Sequence, residues 1–277
     1  GETMNADGAW RRLRALRADP PALATKGERR KVFSAALEQA EQLIVGSADL
    51  GYATRPLNLF YGLSQAGRAL AAALDPRQET WRLNGHGITY ALKDGPVERW
   101  TLTDGGKGGA FGAVAGLTGS PSLPKGVSLG AILAAIPGSH NMPSAPWRDS
   151  PTSLQLHVPD PYPAYVAAAN AWITGVPDDW LSSKDLSDDE HKAALLEQLK
   201  LYPSLSEAKM PSQGPAPFQM TEEGWGLRLL FLLPESMVGG EVSQYVAARG
   251  VEYVGRRYAV PALRGYEECH HPLVLLW

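Results

Sequence analysis

The chain has 277 residues, with 26 Lys+Arg against 29 Asp+Glu and a net charge of −3. This balance argues against a dedicated nucleic-acid-binding protein, which is usually basic, and a content of 44% apolar and 20% charged residues argues against wholesale disorder. The single cysteine, Cys269, allows no intrachain disulfide and no cysteine-rich zinc site, and it fits a reducing, cytoplasmic compartment. No run reaches the ~18 apolar residues of a transmembrane helix, so no membrane association is expected.

The two ends of the chain and its charge distribution set the expected domain limits. Residues 1–4 end in Met4 and are interpreted as an expression leader, so a single domain is expected over 5–277. The apolar run 273–277 predicts that this domain continues beyond Trp277. Residues 1–31 hold eight Lys/Arg and four Asp/Glu. That basic segment favours solvated surface helices, with partner guidance as the alternative.

The first strong pattern predicts a helix over 27–46. Phe33, Leu37, Ala40 and Ile44 recur at spacings of four, three and four, which places them on one helical face. Gly46 is a plausible end to this helix.

A second helix is predicted over 55–74, where Pro56 suits the first turn. The segment is apolar nearly all round, which favours central burial. Its polar exceptions share one stripe, because they lie three, four and three residues apart: Asn58, Tyr61, Gln65 and Arg68. This polar stripe is either the wet side of the helix or the wall of a cleft.

After residue 80 the pattern changes to strands with intervening helices. Asp94-Gly95 predicts a hairpin between 86–93 and 97–103. Further strands are predicted over 154–158, 227–233 and 251–260, and further helices over 127–136, 164–173 and 188–202. Helices first and strands later indicate an α+β fold, with a buried central helix, flanking helices and a mainly antiparallel sheet.

Several common catalytic motifs are missing from the sequence. The glycine-rich segment 105–116 lacks the hydroxyl after Lys107 that a phosphate-binding P-loop needs, so a turn beside the hairpin is favoured. There is no G-x-S-x-G nucleophile elbow and no H-E-x-x-H zinc motif. We therefore expect no metal and no cofactor.

One late pair could carry chemistry. Arg264 precedes His270 and His271 in a pattern that resembles the R-x(4–6)-H signature of HEPN-type ribonucleases. A histidine can act as acid or base near neutral pH, and an arginine can stabilise phosphate charge. Pro272 biases His271 away from helical geometry, which favours the alternative of polar loop residues before an apolar helix.

A broader resemblance covers most of residues 30–277. The segments 55–63, 68–70 and 85–88 resemble the YaaC-like bacterial family, and the match continues loosely through 132–137 and 227–234. The resemblance implies a bacterial cytoplasmic protein and implies no particular activity. Its family-defining positions here are Arg55, Tyr61, His86 and Gly87.

Two of these positions also have structural interpretations. Arg55 could pair with an acidic group and fix the start of its helix, and His86 could be a hydrogen-bonded buried histidine. Gly87 opens a strand, where glycine admits close approach by a ligand or another chain.

Three functional hypotheses follow. The first is a binding or regulatory protein with a cleft for an anionic small molecule or RNA segment, lined by Arg55, Asn58, Tyr61, Gln65, Arg68 and His86. The second is a metal-independent ribonuclease in stress or phage defence that uses Arg264 with His270 or His271, in a homo-oligomer with a shared groove. The third is a structural subunit that binds a protein partner.

Overall fold

The computed structural model describes residues 6–78, 81–91, 95–105, 109–120, 123, 126–139, 150–158, 168–181, 189–211, 218–221, 224–234, 237 and 239–263. These residues form two compact units. The helical unit takes the described residues up to Ala91 and from Leu102 to Gly126. The sheet unit takes those from Gly95 to Thr101 and from Val127 onward. Together the helices and antiparallel strands confirm the α+β class.

The helical unit is built around two long helices. Its elements are α1 (Ala6–Ala18), α2 (Gly27–Gly46), α3 (Arg55–Leu74), β1 (Ile88–Ala91) and α4 (Ala110–Leu117), and β2 (Thr101–Asp104) lies beside β1. The predicted limits of α2 and α3 are both confirmed to the residue. None of the described helices is both long and apolar enough to cross a membrane.

Helices α2 and α3 pack closely because small residues separate them. A Cβ on Gly62 would lie 2.6 Å from Ile44 Cγ1. Their shared core contains Phe33, Leu37 and Trp81, with alanines of α3 between them. Any larger residue at position 62 would therefore require the Ile44 side chain or the helix backbone to shift.

Helix α3 is not buried on all sides, although its nearly all-apolar sequence predicted that it would be. Its glycines and most of its alanines are buried, whereas Leu57, Leu59, Leu70 and Leu74 are exposed. The part-buried Arg68 of the polar stripe bonds to protein instead of facing solvent. The interpretation of the stripe as simply the wet side of the helix is therefore wrong for Arg68.

The sheet unit has a six-stranded antiparallel sheet in the order β6-β7-β5-β4-β9-β8. Its strands are β4 (Leu154–His157), β5 (Ala168–Thr174), β6 (Phe218–Thr221), β7 (Gly224–Leu232), β8 (Val251–Tyr253) and β9 (Arg256–Ala259). The other elements are β3 (Val127–Ser128), α5 (Leu129–Ala135), α6 (Asp178–Leu181), α7 (Asp189–Leu199) and α8 (Gly239–Ala247). The core on one face of the sheet includes Ile173, Leu229 and Phe231.

The helix predicted over 164–173 is wrong, because its described part is the central strand β5. Ala169, Ala171 and Ile173 alternate into the core, and β5 pairs with both β4 and β7. An alanine-rich segment favours a helix by intrinsic propensity. Here, pairing on both sides and a buried face override that preference.

Two strand predictions also need correction. The segment predicted as one strand over 97–103 begins with a 3-10 turn, Val97–Arg99, and only then enters β2. The strand predicted over 251–260 is the β8–β9 hairpin, with Val254 and Gly255 at positive φ in the turn. The alternation of residues did not reveal these turns, although Gly255, a residue type depleted in strands, was an available turn signal.

Candidate functional site

Arg55 joins the start of α3 to the end of α2. Its Nε donates to Ser47 O at 3.1 Å, and its Nη2 donates to Ala48 O at 2.7 Å. Carbonyls at and beyond a helix C-terminus lack partners within the helix, and a guanidinium can satisfy them. Arg55 therefore fixes the start of α3, as one interpretation predicted, although its partners are carbonyls instead of an acidic group.

Arg29 makes the reciprocal connection at the other end of the same helix pair. Its Nη1 donates to Ala72 O at 3.1 Å and to Asp75 O at 2.8 Å, and its Nη2 donates to Arg77 O at 3.2 Å. Each helix thus supplies an arginine from its first turn to carbonyls at the C-terminal end of its partner. The two helices must run antiparallel for both connections to form.

The polar stripe of α3 lies along the segment that precedes β1. Arg68 Nη1 donates to Leu83 O at 3.1 Å, while the buried Arg68 Nε has no hydrogen-bond partner within the described residues. Two turns earlier on α3, the rings of Phe60 and Tyr61 pack on the ring of His86, with centroid distances of 4.8 Å and 5.8 Å. The structure therefore brings Tyr61 and His86 together and places Arg68 against the same segment.

The remaining residues of the predicted cleft are less engaged. Asn58 and Gln65 are half-buried. His86 is exposed, so the interpretation of it as a buried histidine is wrong. Arg55 is committed to the end of α2, as described above. The polar stripe of α3 and the His86 ring that packs on Tyr61 together form a short polar row, whereas Arg55 is used at the helix end.

Position 87 requires glycine because another part of the chain's own backbone approaches it closely. It has φ +79°, and a Cβ there would lie 2.7 Å from Ala110 N. Gly87 O accepts from Gly105 N at 2.6 Å, and His86 O accepts from Phe111 N at 3.2 Å at the start of α4. The space expected for a ligand or another chain at Gly87 is therefore filled by the chain's own backbone around Gly109.

The candidate nuclease residues Arg264, His270 and His271 lie outside the described residues. The ribonuclease hypothesis thus remains a prediction.

Comparison with protein families gives a single assignment. The profile described as YaaC-like Protein matches residues 9–232. The chain belongs to the YaaC-like family. Searches among curated proteins and among solved structures found no match. The matched range of this YaaC-like protein contains the polar stripe and His86, whereas the Arg264–His271 pattern lies beyond it.

The helical unit of the YaaC-like protein also holds a pocket that sequence reasoning missed. Its volume is about 540 Å³, and it lies where the start of α2 meets the chain beyond α3. The lining residues are Leu23, Lys26, Glu28, Arg29, Pro76, Gln78, Trp81 and Arg82. We call it the Trp81 pocket.

Trp81 is the buried aromatic residue of this pocket. It is 5% exposed and belongs to the α2–α3 core. The guanidinium carbons of Arg29 and Arg82 lie 4.7 Å and 4.9 Å from its ring centroid, in the geometry of cation–π contacts. The indole therefore holds two positive charges beside one cavity.

The lining is electropositive overall. Among the described lining residues, Lys26, Arg29 and Arg82 supply three positive charges and Glu28 supplies one negative charge. Glu28 Oε2 accepts a hydrogen bond from Arg82 Nη2, and both side chains are exposed. Within the part of the chain that the structure describes, Lys26 has no carboxylate partner.

A buried carboxylate, that of Asp75, stabilises the turn after α3, beside the pocket. Asp75 is 1% exposed, and Arg77 Nε and Nη2 donate to its carboxylate oxygens at 2.9 Å and 2.8 Å. These hydrogen bonds from Arg77 hold the pKa of Asp75 below its ordinary value and outweigh the opposing effect of burial. This carboxylate is therefore charged at neutral pH and serves the turn after α3.

Sequence reasoning missed the pocket because no motif contains it. Its described lining comes from the start of α2 and the turn before it (23–29) and from 76–78 and 81–82 beyond the end of α3. The basic character of residues 1–31 was the available signal, and it indicated charge without indicating where a cavity would form.

Proposed function

We propose that this YaaC-like protein is a binding protein for an anionic small molecule, which it holds in the Trp81 pocket. The observation that carries the proposal is a cavity of about 540 Å³ lined by three cationic side chains and one carboxylate. Small-molecule sites are concave and commonly occupy ~300–1,000 Å³. The charge of this lining selects a negatively charged occupant.

The cations exceed what the fold needs. Arg29 is used by the carbonyls at the end of α3, so its role is already structural. Lys26 caps nothing with its side chain at the start of α2, and Arg82 is exposed. Lys26, Arg29 and Arg82 line the same cavity, so their positive charges repel one another, and an anion relieves that repulsion.

The side chains favour binding over chemistry. Among the eight lining residues that the structure describes there is no histidine, serine or cysteine, side chains often used for proton transfer or nucleophilic attack. A regulatory role, in which ligand occupancy changes how tightly the ends of α2 and α3 are held, fits this lining.

The polar stripe supports a second contact region for the same function. Arg68 is half-buried, bonds a neutral carbonyl and has no carboxylate partner within the described residues. Tyr61, Gln65 and His86 lie along the same row. We propose this row as the place where a further anionic group could be held.

Calorimetric titration with pyrophosphate at constant ionic strength tests the proposal. A Lys26→Gln/Arg82→Gln variant should bind at least about tenfold more weakly, since each hydrogen bond to a charged group is worth roughly 1.5–3 kcal/mol. The matched control is Arg11→Gln/Arg12→Gln, which removes the same charge from exposed positions of α1. It should change the affinity by less than about twofold.

Three outcomes would contradict the proposal. One is that the wild-type protein does not bind pyrophosphate. Another is that both double variants lose affinity equally, which would indicate a diffuse charge effect. The third is that Arg68→Gln abolishes binding while the pocket variant keeps it, which would move the site to the polar stripe.

A further inference from the structure

We infer that the ligand of the Trp81 pocket is a small molecule carrying a phosphate monoester, and that Glu28 is a built-in competitor that sets its affinity. This inference rests on the proposed function and concerns the same pocket. Three features carry it: the placement of Glu28 on Arg82, the net positive charge of the described lining residues, and the burial of the Trp81 ring.

Glu28 occupies the guanidinium that a ligand would contact. It lies in the first turn of α2, lines the cavity and accepts a hydrogen bond from Arg82. Both partners are exposed, so water and salt screen the pair and it contributes little stability. A ligand anion can therefore displace the carboxylate at low cost, and its observed affinity is reduced by that competition.

The net charge of the lining favours a doubly charged group. Among the described lining residues, three cations and one carboxylate leave a charge of +2. A phosphate monoester carries close to two negative charges near pH 7 and can neutralise this lining. A carboxylate or a phosphodiester carries one charge and leaves the lining unbalanced.

The aromatic ring argues against single-stranded RNA as the occupant. Proteins that bind single strands stack bases on accessible aromatic faces. Trp81 is 5% exposed, and the guanidinium groups of Arg29 and Arg82 lie over its ring. The pocket thus offers charge recognition without a stacking surface, which suits a compact phosphorylated molecule.

Two matched probes test the ligand class. Phenyl phosphate carries two charges at pH 8, and methyl phenyl phosphate, of similar size, carries one. Phenyl phosphate should bind to the wild-type protein about tenfold more tightly, because its second charge interacts with the net positive lining. Equal binding of the two probes, or tighter binding of a single-stranded ten-nucleotide RNA than of phenyl phosphate, would overturn the assignment to phosphate monoesters.

A pair of glutamate variants tests the competitor. Glu28→Gln should tighten phenyl phosphate binding by about three- to fivefold, because the competing carboxylate is gone. Glu38→Gln is the control, since Glu38 lies on the same helix in an ion pair with Arg17 and does not line the pocket. It should leave the affinity unchanged within about twofold.

The failures of the two proposals are distinguishable. If neither probe binds to the wild-type protein or to Glu28→Gln, the proposed binding function fails. If phenyl phosphate binds but Glu28→Gln binds it equally or more weakly, only the competitor role of Glu28 is overturned.

Discussion

The two ends of the α2–α3 pair are built on the same contact and differ in what surrounds it. At one end, Arg55 bonds the carbonyls of Ser47 and Ala48, and at the other end Arg29 bonds those of Ala72, Asp75 and Arg77. The second end also places Trp81 and two further cations around a cavity. An arginine at a helix end is thus explained by backbone carbonyls. The additional charges at the Arg29 end are what the proposed ligand would explain.

The largest expected effect is on Trp81, which joins the core to the pocket. Trp81→Ala should lower the free energy of unfolding by about 3–5 kcal/mol, because a buried aromatic is replaced by a cavity. Urea unfolding followed by circular dichroism at 222 nm measures this loss. Trp81→Phe keeps most of the buried area and should lose much less. Equal stability of Trp81→Ala and the wild type would show that the ring is not part of the core.

The next effect compares the two arginines directly. Arg29→Ala should cost more stability than Arg55→Ala, roughly 2–4 against 1–3 kcal/mol, because Arg29 bonds three carbonyls and also contacts Trp81. Urea unfolding of the two single variants gives both values. A greater loss of stability for Arg55→Ala would mean that the Arg29 end, which holds the pocket, contributes less to the packing of the helices than the Arg55 end does.

A smaller and pH-dependent effect is expected at Asp75. Its lowered pKa means that the folded state favours the carboxylate, so its stabilisation is complete above the unfolded pKa of about 3.9. That stabilisation is lost as the pH falls through the lower folded-state pKa. Asp75→Asn should therefore cost about 1–3 kcal/mol at pH 7. Urea unfolding at pH 7 and at pH 2.5 should show the difference from wild type narrowing in acid, and a difference that grows in acid would contradict the assignment.

The smallest effect concerns the surplus cations. Lys26→Gln and Arg82→Gln should each change the free energy of unfolding by no more than about 0.5–1 kcal/mol, as is usual for exposed charges. Thermal unfolding in a buffer free of phosphate and pyrophosphate measures this change in stability. A larger loss for either variant would make that cation a structural residue and remove the reason to assign it to a ligand.

Local pattern was sufficient for the long helices. The spacing of Phe33, Leu37 and Ala40 predicted α2, and Pro56 predicted the start of α3, because helix periodicity and helix-end chemistry are properties of neighbouring residues. The same local approach made β5 a helix. Its alanines have helical propensity, and the strand state depends on the pairing of β5 with β4 and β7.

The sequence by itself determined the limits of α2 and α3, the α+β class and the family. It also supplied the polar row of α3, of which Tyr61 and His86 do meet. Only the tertiary structure decided that Arg55 contacts backbone carbonyls and that Gly87 packs against the chain's own backbone. It also decided that Lys26 and Arg82 share a cavity, because antiparallel packing of two helices brings together residues whose separation along the chain carries no local signal.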